Sequence, residues 1–97
     1  MYGLIGKMTA TAGQRDALIA ILLEGIEQMP GCRSYVVARD PQDADAVWIT
    51  EVWSDQQSHR ASLSLPQVQN AIARAKPIIA SFAEHFVTEP VGGQGLR

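Results

Sequence analysis

Thirteen residues, VWITEVWSDQQSH at positions 47–59, hold the strongest candidates for chemistry in this chain. They bring together Glu51, Trp53 and His59, and His59 is one of only 2 histidines in the sequence. An imidazole, with an unperturbed pKa of ~6.5, transfers protons near neutrality, and a carboxylate can orient it. The same residue types are also common in packed cores and cross-strand pairs, so a purely structural interpretation stays open for each of them.

Hydrophobic periodicity predicts the elements that position these residues. Alternation predicts a strand over residues 2–10, and a helical stripe predicts a helix over 14–28 that Pro30 and Gly31 end. The stripe consists of Leu18, Leu22, Ile26 and Met29, with Ile19 and Leu23 beside it. Residues 32–40 and 46–53 predict two strands joined by the polar turn DPQDAD, which favours an antiparallel hairpin.

Two short helices and a last strand are predicted after this hairpin. Ser54 followed by Gln57 is a capping-box pattern and predicts a helix over about 55–64. Pro66 suits the first turn of a second helix, which Pro77 ends. Residues 81–90 alternate as a strand, with Phe82, Glu84, Phe86 and Thr88 on one side. Residues 91–97 are expected to form a flexible tail.

The order β-α-β-β-α(α)-β predicts an α+β, ferredoxin-like fold: a single domain over 1–97, with an antiparallel four-stranded sheet and helices on one face. The strand over 46–53 is nevertheless apolar on both sides, with Val47, Ile49 and Trp53 on one and Trp48 and Val52 on the other. A sheet face open to water would alternate with polar residues. We therefore expect a homodimer through this sheet face, with Trp48 packed in the interface.

Composition argues against several classes of protein. The 97 residues carry a net charge of −2 and scattered basic residues, which is not the footprint of a nucleic-acid-binding protein. No apolar run is long enough to cross a membrane, and MYGLIGKMTA is not a signal peptide, so a cytoplasmic location is expected. The lone Cys32 fits a reducing compartment and is interpreted as a packing residue. The histidines and the cysteine match no metal-ligand spacing, so no metal is expected.

The pattern ITEVWSDQQSHRASLSLPQVQNAI, with Glu51 before Trp53, a capped helix, a Leu-Pro break and a second helix, resembles the antibiotic biosynthesis monooxygenase (ABM) family. AGQRDAL and MPGCRSYVVARD extend the resemblance over nearly the whole chain. It implies a dimeric α+β barrel with a cavity between sheet and helices in each subunit. It also implies a monooxygenase that uses O2 without metal, flavin or haem on aromatic diols, quinols or anthrone-like molecules.

The resemblance assigns roles to particular residues. A deprotonated phenolic or enolisable substrate can pass an electron to oxygen, so the protein supplies a dry pocket and a base. In that scheme His59 is the acid/base group, Glu51 orients it or a water, and Trp53 is an aromatic wall for a flat substrate. Ile49 stands where anthrone-type members have a polar amide. Haem-degrading members have a histidine near the position of Ile72, so no haem is expected here.

Two further residues and one alternative function remain open. Tyr35 and Arg33 either offer a phenol and a cation to an anionic substrate oxygen or form ordinary pairs on the sheet surface. His85 lines either the cavity or the subunit interface. Instead of an enzyme, the chain is alternatively a non-catalytic homodimeric module that binds a small apolar ligand. These two functions differ in whether replacing His59 abolishes turnover.

Overall fold

The computed structural model describes residues 1–96 and has one β-sheet with its helices packed on one side. The strands are β1 (Tyr2–Ala10), β2 (Cys32–Arg39), β3 (Ala46–Trp53) and β4 (Ile79–Thr88). The helices are α1 (Arg15–Glu24), α2 (Gln56–Ser62) and α3 (Pro66–Ala75). A single 3-10 turn over Lys76–Ile78 leads from α3 into β4.

The sheet has the strand order β2-β3-β1-β4, and every neighbouring pair is antiparallel. This is the split arrangement of ferredoxin-like folds, and it confirms the predicted α+β class. The hairpin between β2 and β3 pairs Tyr35 with Glu51, and β1 pairs Leu4 with Glu51 on the other side. Glu51 therefore lies in an interior strand, between β2 and β1.

The core lies between the sheet and the helices, as the two-layer architecture requires. Its buried residues come from β1, α1, β3 and α3: Ala10, Leu18, Ile21, Val47, Ile49, Ala71 and Ala75. The predicted stripe of α1 was partly wrong, because Ile21 is in the core whereas Leu23 is 47% exposed. Leu18 is fully buried as predicted.

Helix α1 ends at Glu24, four residues before the predicted end, and Gly25 after it packs against α3. A Cβ added to Gly25 would stand 2.9 Å from the Cβ of Ala71, so the two elements approach more closely than any larger residue would allow. The chain then turns, with Gln28 in the left-handed region at φ 52°. Residues 25–31 thus form an irregular segment instead of a continued helix.

The predicted capping box at Ser54 was also wrong. The N-cap residue of α2 is Asp55, whose Oδ1 accepts a hydrogen bond from the backbone N–H of Ser58 at 2.7 Å. Ser54 donates its hydroxyl to the carbonyl of Gly31 at 3.2 Å, which ties the irregular segment to the end of β3. Pro66 does occupy the first turn of α3, as predicted.

Strand β4 begins and ends two residues earlier than predicted, and its alternation is interrupted. Register shifts occur against β1 between Lys7 and Met8, and again between Thr9 and Ala10. Because of the first shift, Phe82 pairs with Met8 on the helix side of the sheet, whereas Phe86 pairs with Ile5 on the opposite side. The prediction that Phe82 and Phe86 share a face was therefore wrong.

Residues 89–96 contain no helix or strand, and Val91 is 95% exposed. The predicted flexibility of this tail and the single-domain boundary stay predictions, and Arg97 lies outside the described residues. None of the helices within residues 1–96 has the length and apolar character needed to cross a membrane.

Candidate active site

A cavity of about 330 Å³ lies between the helix-covered face of the sheet and the helices. Its walls come from β1 to β4, from the three helices and from the irregular segment after α1, and they are mainly apolar. Helix α3 faces the cavity with small side chains, Val68, Ala71 and Ala75, which leave space above the sheet. The volume lies within the range of ~300–1,000 Å³ that is typical of small-molecule sites.

Glu51 and His59 meet in the wall of this cavity. His59 Nε2 lies 4.0 Å from Glu51 Oε1, and the two side chains are only 23% and 16% exposed. This distance exceeds a hydrogen bond, but acid–base pairs commonly tighten when a ligand binds. The sheet fixes the carboxylate and the capped helix α2 fixes the imidazole, so two rigid elements set the pair.

Trp53 binds the Glu51 carboxylate on the side away from the cavity. Its indole Nε1 donates a hydrogen bond to Glu51 Oε1 at 3.0 Å, and its ring meets the His59 ring edge-on with centroids 5.4 Å apart. Tyr2 lies on His59 as well, at 5.7 Å between ring centroids. Trp53 itself is 1% exposed and does not line the cavity of the described chain. Its predicted contact with a ligand stays a prediction.

The electrostatics of Glu51 follow from this enclosure. Burial raises the pKa of Glu51 above its usual value, while the Trp53 hydrogen bond and the nearby His59 and His85 act in the opposite direction. The cross-strand partner of Glu51 on β2 is Tyr35, so the structural alternative of a cross-strand ion pair with β2 is not what the structure shows. A carboxyl with an elevated pKa beside an imidazole is suited to sharing a proton.

Tyr35 and Ile49 both line the cavity, beside Glu51. Burial, and then the charge of Glu51, raise the pKa of the Tyr35 phenol. The phenol therefore remains protonated near neutrality and can donate a hydrogen bond. Ile49 is 5% exposed and adds an apolar floor next to Glu51.

His85 has a different position from the other candidates. It is exposed on β4, pairs with Gly6, and does not line the cavity within the described chain. Its Cδ2 lies 3.9 Å from the point where a Cβ on Gly6 would stand, so the missing side chain leaves room for the imidazole over β1. The choice between a cavity role and an interface role for His85 stays open.

Sequence patterns did not predict all of the residues around the cavity opening. Leu63, Ile72 and Phe82 line the cavity and are 46%, 49% and 74% exposed. Lys76 also lines it, from the turn after α3. The register shifts of β4 place Phe82 on a face that simple alternation does not predict, and Lys76 lies in the turn after α3, whose path no local pattern predicts.

The opposite face of β3 carries Trp48. Its indole Nε1 donates to Asp40 Oδ2 at 2.9 Å, and Lys7 Nζ lies 5.6 Å from the centre of the ring. Trp48 is half-buried and points away from the cavity, as predicted. Val36 and Phe86 on the same face are 53% and 51% exposed, so this face presents apolar side chains to the surface.

Within residues 1–96, no three His, Cys, Asp or Glu side chains come together as a metal site. Cys32 is half-buried, and burial, followed by the charge of Glu51, raises the pKa of its thiol. A protonated thiol is a weak nucleophile, which agrees with the interpretation of Cys32 as a packing residue.

These features define a class of protein: a small ferredoxin-like α+β protein with a carboxylate–imidazole pair in the wall of a mainly apolar cavity. Comparison with known proteins makes the assignment specific. The model of the family described as antibiotic biosynthesis monooxygenase matches residues 1–74, and the chain belongs to this family. Among curated proteins, none is significantly similar to the chain in sequence.

Solved structures agree with the family assignment. A protein of Chloroflexus aurantiacus J-10-fl, named after this family, is 68% identical, with 99% of this chain and 98% of that chain covered and a TM-score of 0.97. One from Deinococcus radiodurans, also named after the family, is 25% identical, with 96% and 95% covered and a TM-score of 0.79. One from Nitrosomonas europaea is 13% identical, with 95% and 100% covered and a TM-score of 0.84, a likeness of fold alone.

Proposed function

We propose that this protein is a monooxygenase that acts with O2, and without a bound cofactor, on small aromatic diols, quinols or anthrone-like molecules. The observation that carries the proposal is the Glu51–His59 pair in the wall of an apolar cavity of about 330 Å³. Membership of the antibiotic biosynthesis monooxygenase family supports the reaction class.

Three residues of the cavity wall have separate roles in removing one proton from the substrate. His59 takes the proton from the substrate hydroxyl or from an acidic ring methylene. Glu51, held by Trp53, orients the imidazole and offsets the positive charge that forms on it. Tyr35, opposite Glu51 on β2, donates its phenolic hydrogen to the oxygen on which negative charge develops.

For an anthrone-like substrate, the reaction needs no reactant other than the substrate and O2. Loss of a proton gives an electron-rich enolate, which passes one electron to O2; the two radicals then combine into a peroxide at the ring carbon. Loss of water leaves a carbonyl there. One oxygen atom ends in the product and the other in water, so the substrate's two methylene hydrogens are accounted for.

The apolar lining has a specific part in this scheme. It excludes water, which would otherwise compete for the proton and screen the charges around the enolate. Ile49, Met8 and Val68 give flat, apolar contact to an aromatic body. Trp53 in this arrangement acts through Glu51, since the indole lies behind the carboxylate.

The proposal includes a homodimer that stacks two sheets through the face without helices. The apolar side chains of this face support the homodimer, because apolar side chains on an open sheet face favour burial against a partner. They are the exposed Val36 and Phe86 and the half-buried Trp48 and Val52. A cytoplasmic location is part of the same proposal, supported by the free thiol of Cys32.

Oxygen uptake tests the proposal. Chelator-treated protein is mixed with a panel of anthrones and hydroquinones and compared with buffer auto-oxidation and with His59→Ala. We expect uptake above buffer with at least one substrate, and a loss of about 10²-fold in turnover in the variant. Arg60→Ala, on the neighbouring exposed position of α2, is the matched control and should keep full activity. A rate of oxygen uptake equal to that of buffer with every substrate of the panel would contradict the proposed oxygenase activity.

A second function, a non-catalytic homodimeric module that binds a small apolar ligand, is favoured by the cavity lining itself. Most of the lining is apolar and needs no chemistry to bind a ligand. Under this alternative, fluorescence titration would detect ligand binding, but His59→Ala would change affinity little and oxygen uptake would stay at the buffer rate.

A further inference from the structure

The ionisable residues of the cavity fall into two groups. Tyr35, Glu51 and His59 come from β2, β3 and α2, and register and contact bring them together. Lys76, the C-cap residue of α3, is the remaining charged residue in the lining. The cavity of the described chain therefore has an acid–base group and one separate cation in a lining that is mainly apolar.

The sheet register places these groups toward opposite ends of the cavity. Glu51 pairs with Leu4 of β1, whereas Ile79 pairs with Ala10 and the carbonyl of Ile78 accepts from Thr11 N–H at 2.9 Å. Leu4 and Ala10 are about 20 Å apart along an extended strand. Glu51 and the turn that contains Lys76 therefore lie near opposite ends of β1, and both residues line the cavity between them.

The ammonium group of Lys76 has no carboxylate partner within residues 1–96. The ion pairs in that part of the chain join Lys7 to Asp40, Arg39 to Asp16, His59 to Glu51 and Arg74 to Glu24. Glu24 is the carboxylate at the end of α1, the helix that packs on α3, and Arg74 of the preceding turn already binds it. Lys76 is thus a solvent-exposed cation at the edge of a mainly apolar cavity, and no carboxylate within residues 1–96 pairs with it.

The apolar residues at the cavity opening indicate the chemistry of the middle part of a ligand that reaches from Glu51 and His59 to Lys76. Ile72 and Phe82 are exposed and line the same cavity as Lys76. A ligand that covered them would bury apolar area, worth about 25 cal/mol per Å². The matching ligand is flat and apolar in its middle, with a proton to give at one end and a negative charge at the other.

We propose that Lys76 is an anion-binding subsite of this cavity, and that the ligand is an aromatic acid whose phenolic or enolic hydroxyl and whose carboxylate lie at opposite ends of fused rings. The hydroxyl end meets Glu51 and His59, and that orientation rests on the proposed function. The carboxylate end binds Lys76 through a charge-assisted hydrogen bond.

A matched pair of probes tests the subsite by binding, independently of turnover. 6-Hydroxy-2-naphthoate carries a hydroxyl and a carboxylate at the two ends of a naphthalene, and 2-naphthol lacks only the carboxylate. Fluorescence titration at low ionic strength and neutral pH should give about 10-fold tighter binding of the acid, equivalent to about 1.4 kcal/mol. Lys76→Gln should remove this preference and leave the affinity for 2-naphthol unchanged.

Two variants separate a specific subsite from a general effect of charge. Lys76→Arg keeps the cation and should retain the preference for the acid. Arg60→Gln removes one positive charge from exposed α2, outside the cavity lining, and should also retain it. Equal affinities for the two probes in the unmodified protein, a preference that survives Lys76→Gln, or no binding of either probe at concentrations up to about 1 mM would each overturn the subsite.

The test also separates this inference from the proposed function. If the acid is preferred through Lys76 but no substrate raises oxygen uptake above buffer, the subsite stands and the protein is a binding module. If oxygen uptake depends on His59 but Lys76→Gln does not alter the choice between the probes, the oxygenase stands and the subsite is wrong.

Discussion

The two faces of β3 each carry a tryptophan, and the two indoles lie in different surroundings. Trp53 is 1% exposed on the helix side and donates to Glu51, which lines a cavity beside His59. Trp48 is half-buried on the other side and donates to Asp40, which begins the hairpin turn and pairs with Lys7. Each indole N–H donates a hydrogen bond to a carboxylate of the chain. The two tryptophans therefore differ in the surroundings of the carboxylate that each one binds. Glu51 lies beside an imidazole in a cavity wall, whereas Asp40 lies at the surface beside Lys7.

This difference shows how strand alternation separates two tasks. Successive residues of β3 point to opposite faces, so a strand that is apolar throughout can support a cavity on one side and an assembly surface on the other. In our proposal, the helix side holds the chemistry and the open side holds the partner subunit. The following predictions compare the two sides directly.

The largest expected difference is in stability. Trp53→Ala removes a fully buried ring and should lower the free energy of unfolding by about 3–5 kcal/mol, whereas Trp48→Ala, at a half-buried position, should cost clearly less. Urea unfolding followed by circular dichroism measures both at equal protein concentration. A loss below about 1.5 kcal/mol for Trp53→Ala would indicate that its ring borders open space instead.

The two exposed phenylalanines of β4 provide the next comparison, in assembly. Phe86 lies on the open face with Ile5, and Phe82 lies on the helix side with Met8. Phe86→Asp should raise the dimer dissociation constant by at least about 30-fold, equivalent to ~2 kcal/mol, because it places a charge in the proposed interface. Phe82→Asp is the matched control and should weaken ligand binding without changing assembly.

Sedimentation velocity across a range of protein concentrations measures this effect. A monomeric unmodified protein at micromolar concentration would refute the dimer outright. Dissociation by Phe82→Asp but not by Phe86→Asp would reverse the assignment of the two faces.

The smallest expected effect is a pH dependence due to Glu51. Because burial raises the folded-state pKa of this carboxyl above its ordinary value of 4.5, folding favours its protonated form. The contribution of Glu51 to stability is therefore fully present below the unfolded pKa and is lost as the pH rises through the folded pKa. Glu51→Gln does not ionise, so its stability relative to the unmodified protein should increase across this window and then level off.

Urea unfolding of both proteins from about pH 4 to about pH 8 measures this difference. Asp55→Asn offers a control, since that carboxylate is exposed and its pKa is lowered, chiefly by the hydrogen bond from Ser58 N–H. A constant difference between Glu51→Gln and the unmodified protein at every pH would contradict the elevated pKa of Glu51.

Much of the sheet could be predicted from the sequence. The bounds of β1 and β3 are as predicted, because alternation and β-branched residues are local signals and the turn after Asp40 is strongly polar. The errors come from contacts that no local pattern contains. Helix α1 ends where Gly25 packs on Ala71, and the register shifts of β4 turn Phe82 toward the helices.

The candidate site divides in the same way. Glu51 and Ile49 line the cavity because strand alternation places them on the helix side, and that alternation is visible in the sequence. Trp53 shares their face but lies behind Glu51, since the end of β3 is covered by α2. Lys76 and Phe82 reach the cavity only through the path of the chain between α3 and β4, which depends on tertiary packing.

Isotope labelling tests the central claim, that the Glu51–His59 side of the sheet carries out oxygenation, most directly. An anthrone is incubated with the protein under isotopically labelled oxygen gas, and the product and water are analysed by mass spectrometry. The account predicts one labelled oxygen in the new ring carbonyl, formed faster than in buffer, with the excess lost in His59→Ala and kept in Trp48→Phe. Labelled product formed at the same rate by buffer, by the unmodified protein and by His59→Ala would contradict it.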